Sequence, residues 1–322
     1  MTESVSVIIP AFNNSRTIQG TLTSLLGQKT DTQVEIVVID DCSTDETRQI
    51  SISLGLKVIQ NSSNVGLAAS LNRGISLTKN QLIVTLHADA TPLSEDWLLE
   101  LTAPLTRGNA DVACSLQYPP ILDRSNSGLW EKLLWGRLGA HHALNDKADA
   151  YRRTVLEQIG GFDQERFRTA GEDEDMALRL RLNNVRISST DAPIRHNHVF
   201  QTRSENRVFL AIMAKEYSFG RCGGALRRKY VKHKPGAYIY PSVRSPINDG
   251  IFRILICFGS LVPYVQILCI PALVISSLVG ILSANKNTNL GAKLLLYPFF
   301  NIARFWCYSL GYLHGLITGK QE

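Results

Sequence analysis

None of the six cysteines (Cys42, Cys114, Cys222, Cys257, Cys269, Cys307) stands in a CxxC pair, so no disulfide framework is legible and the thiols read as reduced, in a cytoplasmic compartment. Neither GxGxxG nor GxxxxGK[ST] occurs, which takes away the phosphate-binding loops of dinucleotide-dependent dehydrogenases and P-loop ATPases. Charged residues are few, at 19%, while 44% of the 322 residues are hydrophobic, a balance that excludes a mostly disordered chain. The start, MTESVSVIIPAF, lacks a basic stretch followed by an apolar run of signal-peptide length, which predicts that the first half folds in the cytosol. Acids are missing altogether from 217 to 248. Residues 217–322 hold 12 Lys/Arg against Asp249 and Glu322, so the formal +6 of the chain divides into −4 before residue 217 and +10 after it.

What is present begins with alternating strands and helices. VSVII (5–9) is a β-branched run closed by Pro10, and Ile18, Leu22, Leu25 and Leu26 then repeat at helix spacing. VEIVVI (34–39) runs into the acidic turn Asp40-Asp41, and a helix face of Leu67, Leu71 and Ile75 precedes LIVTL (82–86) and His87-Ala88-Asp89. This alternation predicts an α/β fold with a mainly parallel sheet flanked by helices. Ligands in such sheets gather at the carboxyl ends of the strands. Phe12-Asn13-Asn14, Asp40-Asp41 and Asp89 all stand at such ends.

Residues 254–282 form 29 consecutive uncharged residues, enough to predict membrane contact. Pro263 and Pro271 leave a kinked span and a re-entrant helix pair as equal readings. A second apolar run, 294–317, is broken by Asn301, Arg304 and His314, and Arg304 must snorkel or serve a function. The stretch with Arg221, Arg227, Arg228, Lys229, Lys232 and Lys234 abuts these runs, so it reads as lipid-facing on the cytoplasmic side rather than as a nucleic-acid patch. The expected division is a catalytic domain over 1–216, a basic juxtamembrane linker over 217–250 and membrane-anchoring helices over 251–322.

Carboxylates at strand ends can hold a divalent cation on a diphosphate, since Mg²⁺ and Mn²⁺ prefer oxygen ligands. Asp89 is so placed. Asp41 can accept a hydrogen bond from a nucleobase, although either acid alone could be a turn residue. Glu172, Asp173 and Asp175 exceed what a helix cap needs, and their mutual repulsion raises the proton affinity of one of them.

VSVIIPAFNN, EIVVIDDCSTDET, NVGLAASLNRGI, the strand ending in HADA, and YRRTVLEQIGGFDQERFRTAGEDEDMALRLR follow one another in an order that resembles the family 2 glycosyltransferases of GT-A (Rossmann-like) fold, over about residues 4–220. HADA and the basic linker resemble a membrane-anchored, succinoglycan-type polysaccharide subgroup. The resemblance implies Pro10, Ala11, Phe12, Asn14 and Asp41 around the nucleobase and ribose, with Asn64, Gly66 and Ala88 lining the nucleotide cleft. It implies Asp89 as the metal carboxylate of a DxD motif whose first position here is His87, for which a solvent-facing strand end is the bland alternative. His196 would help hold the Mn²⁺ or Mg²⁺ ion, and His198 would contact acceptor or phosphate. Asp173, with Glu172, would be the catalytic base, taking the acceptor's proton in an inverting displacement. Arg152 and Arg153 could contact acceptor or phosphate, or be surface charges. QxxRW, usual in processive members, is absent, which favours one sugar added per encounter. The implied partners are a nucleotide-sugar donor, UDP- before GDP-, a lipid-linked acceptor and the inner (plasma) membrane. A polyprenyl-phosphate glycosyl synthase and a non-catalytic scaffold subunit are the alternatives.

Overall fold

The computed structural model describes residues 3–30, 32–122, 127–136, 138–198, 200, 204–230, 250–261, 266–287 and 291–321. They form two compact units, one of Met1–Pro120 with Gly139–Val199, the other of Ile121–Leu138 with Phe200–Glu322. The boundary falls near residue 200 rather than 216, because one helix runs unbroken through Glu216.

In the first unit, β1 (Val5–Ala11), β2 (Val34–Asp40), β3 (Lys57–Gln60) and β4 (Leu82–Leu86) alternate with α1 (Ile18–Leu26), α2 (Thr47–Ser53) and α3 (Leu67–Leu77). Then come β5 (Ala90–Pro92), α4 (Trp97–Thr106) and β6 (Val112–Tyr118). α5 (Leu129–Trp135) belongs to the second unit, and β7 (His141–His142), β8 (Ala148–Arg152), α6 (Arg153–Ile159), α7 (Glu172–Leu182) and β9 (Ile187–His196) complete the first. The sheet order is β3-β2-β1-β4-β8-β6-β9-β5, with β7 on β6. Parallel pairing holds from β3 to β4. Beyond β4 the sheet is mixed: β8 is antiparallel to β4 and β6, β9 parallel to β6, and β5 antiparallel to β9. The alternation in the sequence did not reach this half, where β5 and β7 have three and two residues and carry no apolar period.

Period-2 patterning splits the core into two layers. Val5, Val7 and Ile9 face α1 and α4 with Leu22, Leu25, Val84, Trp97 and Leu101. Ile8, Val37, Ile39 and Ile83 face the other side with Leu71, Tyr151, Phe162, Met176 and Leu180. All of these are at most 3% exposed, and each large apolar side chain so buried contributes roughly 1.5–3 kcal/mol. Trp97 satisfies its one polar atom by donating to Ser115 Oγ at 3.0 Å. This rigid base carries Ala11, Asp40 and Leu86 to one end of the sheet.

The second unit contains α5, α8 (Glu205–Tyr230), α9 (Gly250–Gly259), α10 (Gln266–Asn287), a 3₁₀ turn (Gly291–Leu296) and α11 (Tyr297–Thr318). The 29-residue apolar run is divided between α9 and α10, and no described helix is long and apolar enough to cross a membrane. Of the two readings left open, a kinked span and a helix pair, the described residues form two helices, with Pro271 inside α10. Pro263 and the linker from 231 to 249 lie outside the described residues. Arg304 neither snorkels nor stands alone: it is 6% exposed and donates through Nε to Glu216 Oε1 at 2.6 Å. The other two polar breaks are also paired, Asn301 with Ser276 and Ser277 and His314 with the Tyr217 hydroxyl.

Candidate active site

β4 ends at Leu86, and His87-Ala88-Asp89 turns the chain into β5, with Ala90 N–H closing on His87 O at 2.9 Å. Antiparallel pairing of β5 with β9 sets His196 opposite Ala90, and Asn197 N–H donates to Asp89 O at 2.6 Å. The register thus delivers both histidines to one carboxylate. His196 Nε2 is 3.2 Å from Asp89 Oδ2, and His198 Nδ1 is 3.8 Å from the same oxygen. The three potential ligand atoms lie within 4.8 Å of one another. Burial works against the Asp89 charge, yet the charge and hydrogen bond of His196 and the hydrogen bond of His198 hold its carboxyl well below the usual range. Burial pushes His196 below its ordinary value despite Asp89, favouring the neutral imidazole that binds metal. One carboxylate and two imidazoles fit a divalent ion of borderline softness such as Mn²⁺.

Next to this cluster stands a group of buried acids. His87 is not a solvent-facing strand end: its Nε2 lies 2.9 Å from Asp146 Oδ1, with the aspartate side chain 2% exposed. Asp146 takes a positive φ of 55°, and the turn is fastened by Asn145 and Asp146 N–H groups donating to Asp149 Oδ2 at 2.8 and 2.6 Å. Glu172 opens α7 directly after Gly171, whose φ of 90° brings the chain into the helix. Burial, then the charge of Asp173, then that of Asp146, raise Glu172 well above the usual carboxylate range. Asp146 is raised by burial and by the charges of Asp173 and Asp89. These mutual effects tie the Asp89 turn, the 145–149 turn and the first turn of α7 into one electrostatic site. Asp175 is set apart, fully buried and paired with Arg179 at 2.7 Å.

Of the residues expected around the nucleotide, Pro10 and Ala11 are buried in β1, whereas Phe12 is 45% exposed at its end. Phe12 N–H donates to Asn14 Oδ1 at 2.8 Å, and Asn14 N–H donates to Thr47 Oγ1 at 2.7 Å, so the loop is pre-formed. Asp41 is 4% exposed and accepts from Asn61 Nδ2, Val65 N–H and Gly66 N–H at 2.7, 2.9 and 2.8 Å. It therefore shapes the 61–66 loop as well as facing the cleft end of the sheet. Gly66, at φ 95°, leaves no room for a Cβ against Arg168, and Arg168 clasps the Asn64 carbonyl and side chain at 2.5 Å each. Ala88 places its methyl in the core, 2% exposed, while its carbonyl accepts from Thr21 Oγ1.

Arg152 and Arg153 do not join this site. Arg152 pairs in register with Leu82, at the end of β4 remote from Asp89, and binds Glu3 and the Leu105 carbonyl. Arg153 is spent on the Asn80 and Ile75 carbonyls and Thr78 Oγ1. Conversely, Asp146, Lys147, Asp149 and Arg168 escaped sequence reasoning. The signal for the first three was DKAD running into a buried strand, where acids have no packing reason to be.

The Glycosyl transferase family 2 model matches residues 6–156. The O-antigen chain rhamnosyltransferase WbaN of Salmonella anatum is 25% identical over 218 residues, 63% of this chain and 69% of that protein. The beta-monoglucosyldiacylglycerol synthase of Nostoc sp. is 26% identical over 200 residues, 56% of this chain, but only 41% of its own length is covered. Among solved structures, a mannosyltransferase from Pyrobaculum calidifontis in complex with GDP-Man and Mn²⁺ superposes with a TM-score of 0.58 at 15% identity, over 97% of this chain and 88% of that one. That likeness bears on the fold. Element order, site and family match agree: over residues 6–156 the chain carries a glycosyl transferase family 2 domain, on a GT-A fold.

Proposed function

We propose that the chain transfers a single sugar from a nucleotide sugar, UDP- before GDP-linked, to a hydroxyl of a lipid-linked saccharide or glycolipid, with inversion at the anomeric carbon. The observation that carries this reading is the meeting of the Asp89, His196 and His198 cluster with the Glu172-Asp173 turn of α7. A divalent cation held by Asp89, His196 and His198 would neutralise charge growing on the departing diphosphate.

The remaining work falls to the chain itself. Phe12 offers an exposed aromatic face for the base, and the loops held by Asp41 and Arg168 line the nucleotide side. Asp173, partly exposed on the first turn of α7, takes the proton of the acceptor hydroxyl as that oxygen attacks. Glu172, buried behind it with a raised proton affinity, keeps negative charge from accumulating beside the base. A base so placed supports a hydroxyl acceptor over a lipid phosphate, which needs none. The basic bias after residue 217 and the exposed leucines of α10 support work at the cytoplasmic face of the inner membrane. Purified membranes given UDP- and GDP-sugars, Mn²⁺ and lipid-linked acceptors are expected to show transfer. Neither transfer nor Mn²⁺-dependent donor hydrolysis with any donor, from folded protein, would overturn the reading.

A further inference from the structure

Lys147 stands in the site but takes no part in the steps above. β4–β8 register sets Ala148 opposite Leu86, and His87 N–H donates to the Lys147 carbonyl at 2.9 Å. The residue is thus level with His87 and two positions from Asp89 in the adjoining chain. Its neighbours on both sides are fixed, Asp146 by His87 and Asp149 by the 145 and 146 amides. The Lys147 side chain is half-buried, and among the described residues its ammonium makes neither a hydrogen bond nor an ion pair. Yet its charge reaches Asp146, Asp149, Glu172 and His196.

An ammonium among acids normally closes on one of them, because a charge-assisted hydrogen bond is the strong alternative to water. Here, among the described residues, three donors stay open on a residue paired beside the His87–Asp89 turn. We propose that Lys147 binds the diphosphate of the nucleotide donor and stabilises the nucleoside diphosphate as it leaves. This rests on the nucleotide-sugar reading above and adds to it a residue for the leaving group. In the step, the bond from acceptor oxygen to anomeric carbon forms and the bond from that carbon to the diphosphate oxygen breaks, its electron pair staying on the phosphate. The acceptor's proton goes to Asp173, and Lys147 donates a hydrogen bond to the phosphate without giving up its own proton.

The test compares binding of UDP, GDP, UMP and GMP, each with Mn²⁺, to the full chain and to Lys147→Gln and Lys147→Arg by titration calorimetry. Lys147→Gln is expected to weaken the diphosphate that the wild type binds by about tenfold to a hundredfold. Its affinity for the matching monophosphate is expected to fall by less than about threefold, and Lys147→Arg to recover most of the loss, since Arg keeps the charge. Equal diphosphate binding by wild type and Lys147→Gln would overturn the inference. So would an equal loss of both nucleotides accompanied by a lowered melting temperature, which marks a structural role. If the wild type binds neither UDP nor GDP, the nucleotide-sugar reading falls, and this inference with it.

Discussion

At the scale of single residues, the site separates a base from a proton-holding neighbour by burial. Asp173 is partly exposed on the first helical turn and Glu172, one residue earlier, is 4% exposed. Asp173→Asn is therefore expected to lower turnover by about 10²–10⁴-fold with donor affinity retained, which steady-state rates and a donor titration separate. Glu172 yields a second prediction, on pH. Its folded proton affinity is raised by burial first, so folding favours the protonated form. The stability it contributes is complete below its unfolded pKa of about 4.3 and is lost as pH rises through the raised folded value. Glu172→Gln, without metal, should thus melt above the wild type near neutral pH and level with it near pH 4. A scan of melting temperature against pH checks this, and a constant offset would contradict it. The carboxylates Asp41, Asp89, Glu172 and Asp173 were legible because each sits in a motif at a strand end or helix start. Asp146 and Lys147 were not, since a pairing such as His87 with Asp146 joins positions 59 apart and depends on β8 running antiparallel to β4.

At the scale of elements, the informative pair is α8 with α11. Gly220 and Gly224 on α8 and Gly311 and Gly315 on α11 each stand where a Cβ would strike the partner helix's backbone, at Tyr308, Tyr312, Tyr217 and Arg221 respectively. Backbone that close leaves no room to repack, so Gly224→Val is expected to cost at least the roughly 1–3 kcal/mol of an overpacked core, read as a lower melting temperature. Between the same helices Glu216 receives Arg304, and it also faces Arg253 of α9 at 3.6 Å, with side chains 7–13% exposed. Glu216→Gln takes the carboxylate from the buried Arg304 guanidinium and should destabilise by about 3–5 kcal/mol, measured by melting in detergent. An effect under about 1 kcal/mol would mean that water reaches the pair. The sequence showed Arg304 as an anomaly in an apolar run, but its partner lay 88 residues earlier, in a helix outside both apolar runs. The four glycines were equally silent, because glycine at four-residue spacing carries no sign of which helix it will meet.

At the scale of the whole molecule, charge and apolar exposure are divided between the two units. The first unit packs two closed apolar layers and leaves only scattered large apolar residues at its surface, Phe12, Leu26, Ile52 and Leu93 being 41–50% exposed. In the second, Leu268, Ile275, Leu278 and Leu282 follow a helical repeat along α10 and are 52–76% exposed, and Phe299 and Ile317 of α11 are 73% and 75% exposed. Single exposed leucines are ordinary, but a stripe of them running the length of a helix is not. The last third of the chain also holds the +10 of formal charge. Apolar insertion and attraction to anionic lipid respond differently to salt, because screening acts only on the second. If the second unit holds the enzyme on the membrane, lysed cells should yield it in the membrane fraction, and 1 M salt should leave it there while detergent releases it. Replacing Leu268, Ile275 and Leu278 by Glu should then move the protein into the salt-soluble fraction while Mn²⁺-dependent nucleotide binding by the first unit persists. Release of the wild type by salt alone would assign the attachment to the basic residues instead, and recovery in the soluble fraction without salt would remove the membrane from the proposal.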